Sequence, residues 1–232
     1  MADNFAKLKA QLLKDKIYED QKILVLNKPT GLAVQGGVKI KKSVDQILNF
    51  GEAELKYRLT HRIDKDTSGL LLIAKSEQAA KYATKLFNER ALKKTYLTIV
   101  VGKPRKKSGI IDLAVSAKKT AKFKHEQKTQ NARSSYEIID HVGNELSFLA
   151  VEPHTGRKHQ IRIHLAAIGC PILGDGKYGG RQAFKSGLSN KIHLHAYQLI
   201  LPNYFGKKPL KLEAAPPKAF QDTMTELGLM II

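Results

Sequence analysis

A run of apolar residues, Leu70-Leu-Leu-Ile-Ala74, stands directly behind a polar turn, Asp66-Thr-Ser-Gly69. In front of that turn come an imidazole, a guanidinium and a carboxylate, at His61, Arg62 and Asp64. The run reads as a buried strand because it is short, continuous and bounded by turn residues. Charged groups are thereby placed at the mouth of a rigid element, where a scaffold tends to carry its site.

The rest of the chain supplies partners for such a strand. Lys22-Ile-Leu-Val-Leu-Asn27 reads as another, ended by Lys28-Pro29, with a turn-rich loop at Gly31, Gly36 and Gly37. Further strands are expected at 94–101, 109–115, 133–140, 146–151 and 192–201. Ser43 with Gln46 three residues on has capping-box spacing for a short helix. Ser76 starts a longer helix whose apolar face is Ala79, Tyr82, Ala83, Leu86 and Phe87. Helices are also expected over Lys158–Ile168, closed by Gly169 with Pro171 beyond, and over Pro217–Leu227. Many strands with interspersed helices and no βαβ regularity predict an α+β fold, a mixed and largely antiparallel sheet flanked by helices and loops. Residues 1–20 are charged and helix-permissive, a lead-in or linker; residues 21–232 read as one domain.

Charge narrows the partners. Forty Lys and Arg against twenty-one Asp and Glu leave a formal net charge of +19. Self-repulsion of that size points to a polyanionic partner, with nucleic acid first. An anionic membrane is disfavoured because no basic amphipathic helix offers an apolar face to lie in one. No apolar span of membrane length occurs either. Cys170 is the single cysteine, which excludes an internal disulfide or a multi-cysteine zinc site. A reducing, cytoplasm-like compartment follows.

Among chemical constellations, the two carboxylates Asp64 and Asp66 suggest acid–base or nucleophilic work beside Arg62. Asp66, ahead of Thr67-Ser-Gly69, has the placement of a turn residue. Asp64 is either the ion-pair partner of Arg62 or a working group. A working carboxylate in a dry pocket needs a cation, and Arg62, Arg157 and Arg162 are the candidates. A metal site is not expected. His159 and His164 would diverge by roughly 140° on a helix, taking 100° per residue. His193 and His195 would share a strand face with no third ligand nearby. Gly174-Asp-Gly-Lys-Tyr-Gly-Gly180 fits neither a Walker A loop nor a dinucleotide fingerprint, so no nucleotide cofactor is implied. With Arg157, Arg162 and Lys177 it could grip phosphate. Tyr96 is either a core aromatic or a platform for an unpaired base. Lys118-Lys-Thr-Ala-Lys-Phe-Lys-His-Glu-Gln-Lys128 reads as a protruding arm that contacts phosphates.

Five segments in order then carry a resemblance. His61–Lys75 is similar to the catalytic motif of the RluA-type pseudouridine synthases, in which an Arg, one residue and an Asp precede Thr-Ser-Gly. Asn27-Lys-Pro-Thr-Gly-Leu32 resembles that family's N-terminal signature, and Lys94-Thr-Tyr96 its second motif. Thr155-Gly-Arg-Lys-His-Gln-Ile-Arg-Ile-His-Leu165, with Gly169–Asp175 and Tyr178-Gly179, resembles the third, and Leu194-His-Ala196 the closing strand. Lys158 and Cys170 stand where the family commonly has Thr and His.

The resemblance implies the pseudouridine synthase fold and the isomerisation of uridine to pseudouridine in RNA. It implies Asp64 as the catalytic carboxylate, Arg162 as the cation that keeps it ionised, and Tyr96 against the uracil ring. Arg62 would enter the space left by the flipped nucleotide, and His61, Lys75, Lys94 and Arg157 would contact RNA. Neither metal nor organic cofactor is implied. The substrate expected is 23S ribosomal RNA, with transfer RNA open, because no S4-like RNA-binding domain precedes the first motif. The protein is expected to act as a monomer.

Overall fold

Every position of the strand behind the turn, Ser68–Ala74, is buried in the computed structural model, which describes residues 2–38, 40–52, 56–116 and 129–230. In chain order the elements begin with α1 (Ala2–Lys14), β1 (Lys16–Glu19), β2 (Ile23–Lys28), α2 (Val44–Leu48) and β3 (Arg58–Leu59). Next come β4 (Ser68–Ala74), α3 (Glu77–Asn88), β5 (Lys93–Val101), β6 (Ser108–Asp112), β7 (Val115–Ser116) and β8 (Thr129–Gln130). The last are β9 (Arg133–Val142), β10 (Leu146–Pro153), α4 (Gln160–Ala167), β11 (Leu194–Leu201), β12 (Leu210–Glu213) and α5 (Lys218–Glu226). They divide into two units: Met1–Lys94 with His195–Pro217, and Thr95–Leu194 with Lys218–Ile232.

In the first unit β2 lies antiparallel between β1 and β4, with Val25 opposite Leu72. Ser68 and Gly69 of β4 pair in parallel with His195 and Ala196 of β11, and β12 runs antiparallel to β11. Ile23, Val25, Leu70 and Leu72 share one face with Leu199, Leu201 and Leu212, covered by Ala83 of α3. Leu24, Leu26, Leu71 and Ile73 on the other face are equally buried. A sheet covered on both faces explains why β2 and β4 read as continuous apolar runs rather than alternating ones. Each such side chain contributes about 1.5–3 kcal/mol on burial. Gly69 is obligatory: its φ is +109°, and a Cβ there would stand 2.3 Å from the Ala196 carbonyl oxygen.

The second unit is antiparallel throughout its main sheet, with β10 between β5 and β9 and β6 on the far side of β9. A small ladder joins β7 and β8. Ile161 and Leu165 of α4 pack on Val100, Leu149, Val151 and Ile172, with Cys170 in the same cluster. The expected α+β class with a mixed, largely antiparallel sheet is what these two units display.

Several boundaries differ from the sequence reading. Part of the presumed lead-in, Lys16–Glu19, is a sheet strand on β2. The expected helix over Lys158–Ile168 starts only at Gln160, because His159 adopts a left-handed backbone, φ 55°. The expected strand 109–115 is two strands, β6 and β7, and β11 begins at Leu194 rather than Ile192. Both serine caps form, Ser43 accepting from Gln46 N and Ser76 from Ala79 N, each worth about 1 kcal/mol. The arm at Lys118–Lys128 lies outside the described residues. Among the described residues no helix is long and apolar enough to cross a membrane.

Candidate active site

The expected residues fall in both units. In the first, the turn between His61 and β4 is fastened to the loop after β2. Gly31 N donates to the Lys65 carbonyl at 2.9 Å, and the Thr30 hydroxyl donates to the Asp66 carbonyl at 2.8 Å. Thr67 N closes the turn on the Asp64 carbonyl. The fully buried Lys28 sits beneath: its Nζ donates to the carbonyls of Pro29, Leu32 and Lys65 at 2.7, 2.9 and 3.1 Å. Three N–H donors meet three acceptors, so the charged form is fully used. Burial nevertheless pulls Lys28 down to about 7, opposed by the carboxylates of Asp66 and Asp64. Two segments that resemble separate motifs are therefore one structure, and Lys28 is a residue the sequence reading passed over. Asp64 and Asp66 are half-buried at this turn, and Arg62 is exposed.

Behind the turn, the Ser68 hydroxyl donates to His195 Nδ1 at 2.9 Å, and His195 Nε2 donates to the Ala214 carbonyl at 2.8 Å. Burial lowers His195 to about 4, so the neutral ring that this bonding needs is the one present.

Two residues expected at RNA have other employment. His61 Nε2 accepts from Leu72 N at 2.8 Å, and its ring stacks on Phe87 with centroids 4.2 Å apart. Burial, with Lys94 nearby, lowers it to about 3. It braces β4 as a neutral acceptor. Lys75 Nζ donates to Glu19 Oε1 and to the Asp20 carbonyl, both at 2.8 Å, tying the end of β4 to the β1 edge. Lys94 is half-buried, 6.0 Å from the Phe87 ring centroid, and burial together with Arg90 lowers its pKa.

In the second unit, Arg162 of α4 is buried and meets the buried Asp175 in a two-pronged pair. Its Nε donates to Oδ2 and its NH2 group to Oδ1, each at 2.7 Å. Asp175 Oδ1 also accepts from the amides of Lys177 and Tyr178 at 3.2 and 3.3 Å. The glycine-rich loop, considered for phosphate, thus turns two of its amides inward onto its own carboxylate and buttresses Arg162. The Tyr178 ring lies 5.1 Å from the guanidinium carbon, and its hydroxyl hydrogen-bonds His159 Nδ1 at 2.7 Å.

Gln160 organises the entry to α4. Its Oε1 accepts from the Thr155 hydroxyl and Arg157 N, and its Nε2 donates to the Arg133 carbonyl and Ser134 Oγ. Arg157 Nε donates to the Asn131 carbonyl at 3.2 Å. Tyr96 is half-buried, opposite Val151 in the sheet and packed against the core cluster.

The histidines weighed as ligands are engaged separately. His164 bonds Ser134 and the Leu113 carbonyl, His193 bonds Thr223, and His195 bonds Ser68. Among the described residues no three His, Cys, Asp or Glu side chains gather where an ion would be held.

The model of the family described as RNA pseudouridylate synthase matches residues 22–167. Ribosomal large subunit pseudouridine synthase C of Rickettsia typhi is 38% identical over 232 residues, covering 97% of this chain and 75% of that protein. The mitochondrial pseudouridylate synthase RPUSD4 of Xenopus tropicalis is 31% identical, covering 96% of this chain and 82% of that one. The solved structure of human RNA pseudouridylate synthase domain containing 4 superposes with a TM-score of 0.82 at 26% identity, over 100% of this chain and 99% of that one.

Proposed function

The chain belongs to the RNA pseudouridylate synthase family, and from that premise we propose that it isomerises uridines of large-subunit ribosomal RNA, with Asp64 as the catalytic carboxylate. One observation carries the choice of Asp64: its place two residues after Arg62 and ahead of Thr67-Ser-Gly69, as in the motif it resembles, in a turn that also holds the half-buried Asp66 and that Lys28 and Thr30 fasten to the loop after β2. Asp66 shares that turn through its backbone carbonyl. The Lys28 ammonium attracts both carboxylates, Asp66 more than Asp64, and a cation nearby favours the ionised acid that the reaction needs.

The reaction breaks the C1′–N1 bond, turns the uracil and joins C1′ to C5; the proton displaced from C5 is released and N1 gains one. Three routes are open to the carboxylate: attack at C1′, attack at C6, or removal of the 2′ proton. The uridine must first leave its stack, at a cost of a few kcal/mol that contacts of a basic protein with the RNA backbone offset. We assign Tyr96 to the uracil ring, Arg162 to the cation supporting Asp64, and Arg62 to the gap left by the flipped nucleotide. Arg62 is exposed at the turn, which suits that part. We read the enzyme as a monomer in a cytoplasm-like compartment; its single, buried cysteine supports the compartment.

The test is Asp64→Asn. The variant is expected to keep its affinity for ribosomal RNA and to lose tritium release from C5-labelled uridine. Wild-type turnover in that variant would overturn the assignment. Comparing the pseudouridines in ribosomal and transfer RNA from cells with and without the gene identifies the substrate.

A further inference from the structure

Between β5 and β6 the chain turns through Lys103-Pro-Arg-Lys-Lys107, four cations in five residues. All four are exposed while Pro104 is buried, so the turn is anchored by its proline with the charges facing outward. Its ends are fixed as well. Gly102 N donates to the Glu145 carbonyl at 2.7 Å, the Ser147 hydroxyl donates to the Gly102 carbonyl, and Ile138 N donates to the Lys107 carbonyl. Beside it, Lys103 Nζ donates to His141 Nε2 at 2.9 Å, which adds a polar group and no compensating charge. The nearby carboxylate of Glu145 is taken by Lys185. Among the described residues no carboxylate forms an ion pair with Lys103, Arg105, Lys106 or Lys107. An ordered turn that holds four like charges together without internal compensation is matched by an external polyanion.

Its distance from Tyr96 gives the turn a distinct task. Both belong to the second unit, and Tyr96 lies near the start of β5. Seven residues of extended chain separate Tyr96 from Lys103, roughly 20 Å. We infer that residues 103–107 are a remote phosphate anchor, gripping the substrate's sugar–phosphate backbone several nucleotides from the uridine that Tyr96 meets. This rests on the reading of the substrate as RNA. It implies that long RNA is held at two places and short RNA at one.

The experiment compares wild type with a variant carrying Lys103→Gln, Arg105→Gln, Lys106→Gln and Lys107→Gln, all exposed positions. A control, Lys14→Gln, Lys41→Gln, Lys207→Gln and Lys208→Gln, removes the same charge elsewhere. Binding of fluorescein-labelled oligouridylates of about five and about twenty-five nucleotides is followed against KCl concentration; at about 0.7 per phosphate contact on a single strand, four contacts set a slope change of about 2–3. The turn variant is expected to lose that much slope on the long RNA, to bind it about tenfold more weakly at low salt, and to match wild type on the short one. An unchanged slope on the long RNA, an equal loss on both lengths, or an equal loss in the control would each overturn the anchor. Tritium release by wild type is scored separately, so failure of the isomerase reading is visible without being confused with failure of the anchor.

Discussion

Arg162 and Asp175, thirteen residues apart in sequence, meet through two parallel hydrogen bonds of 2.7 Å, with side-chain exposures of 5% and 1%. Breaking a buried pair from one side leaves a charge without compensation, at a cost of about 3–5 kcal/mol. Asp175→Ala is therefore expected to lose about that much in urea unfolding, and, on the role proposed for Arg162, to lose isomerase activity even where it remains folded. An unchanged unfolding midpoint would show that the pair holds nothing.

Lys28 carries a pH signature. Its folded pKa of about 7 lies below the usual lysine value of 10.5. Between those values the unfolded chain holds a proton that the folded chain has released, so the burial penalty is full below pH 7 and is relieved as pH rises. Relative to Lys28→Met, which cannot titrate, wild type is expected to gain stability from pH 7 to 10 by up to about 1.4 kcal/mol per pH unit. Parallel unfolding curves across that range would mean that Lys28 keeps its charge.

His195 gives the opposite side of the profile. Its folded pKa of about 4 is depressed below the usual histidine value of 6.5, so acid protonates the unfolded state first. Stability present above pH 6.5 is expected to be lost as pH falls from there toward 4. His195→Gln should be less stable at pH 7 and shallower over that interval, as measured by thermal midpoints. Equal acid slopes in the two proteins would remove His195 from the account.

Lys75 separates two roles that its position in the sequence allowed. Its ion pair with Glu19 is partly exposed, at 20% and 26%, and such pairs are worth about 0–1 kcal/mol. Lys75→Met is expected to cost no more than that, with KM for ribosomal RNA unchanged. A clear rise in KM at constant stability would return Lys75 to the RNA.

Local signals carried most of the fold. Strands β2, β4, β5, β9 and β10 were legible because apolar or β-branched runs stop at turn residues, and the two serine caps because a helix needs an acceptor for its first amides. Strands β1 and β12 were missed: Lys16-Ile-Tyr-Glu19 and Leu210-Lys-Leu-Glu213 are only four residues long, and half of each is charged. The late start of α4 follows from the backbone of His159, which nothing in residue type announces. A role for a site residue could be proposed only where its place in a motif suggests one, as for Asp64. It was not legible where a role comes from a partner far along the chain. Lys28 reaches Lys65, and Gln160 reaches Arg133 and Ser134, and no spacing rule connects them. The contacts of His61 and Lys75 were not legible for the same reason: their partners Leu72, Phe87 and Glu19 appear only on folding.

The parallel pairing of β4 with β11 has a consequence for synthesis. Ser68 emerges from the ribosome 127 residues ahead of His195, at a rate of about 5–20 residues per second. For that interval the end of β4 next to the Asp64 turn has no parallel neighbour, while the apolar strand behind it is already made. Closing so long a loop is slow and leaves an open strand edge exposed meanwhile. A chain interrupted before residue 194 would carry the whole His61–Lys75 segment on an unfinished sheet, and dependence on a chaperone is expected to concentrate in that window.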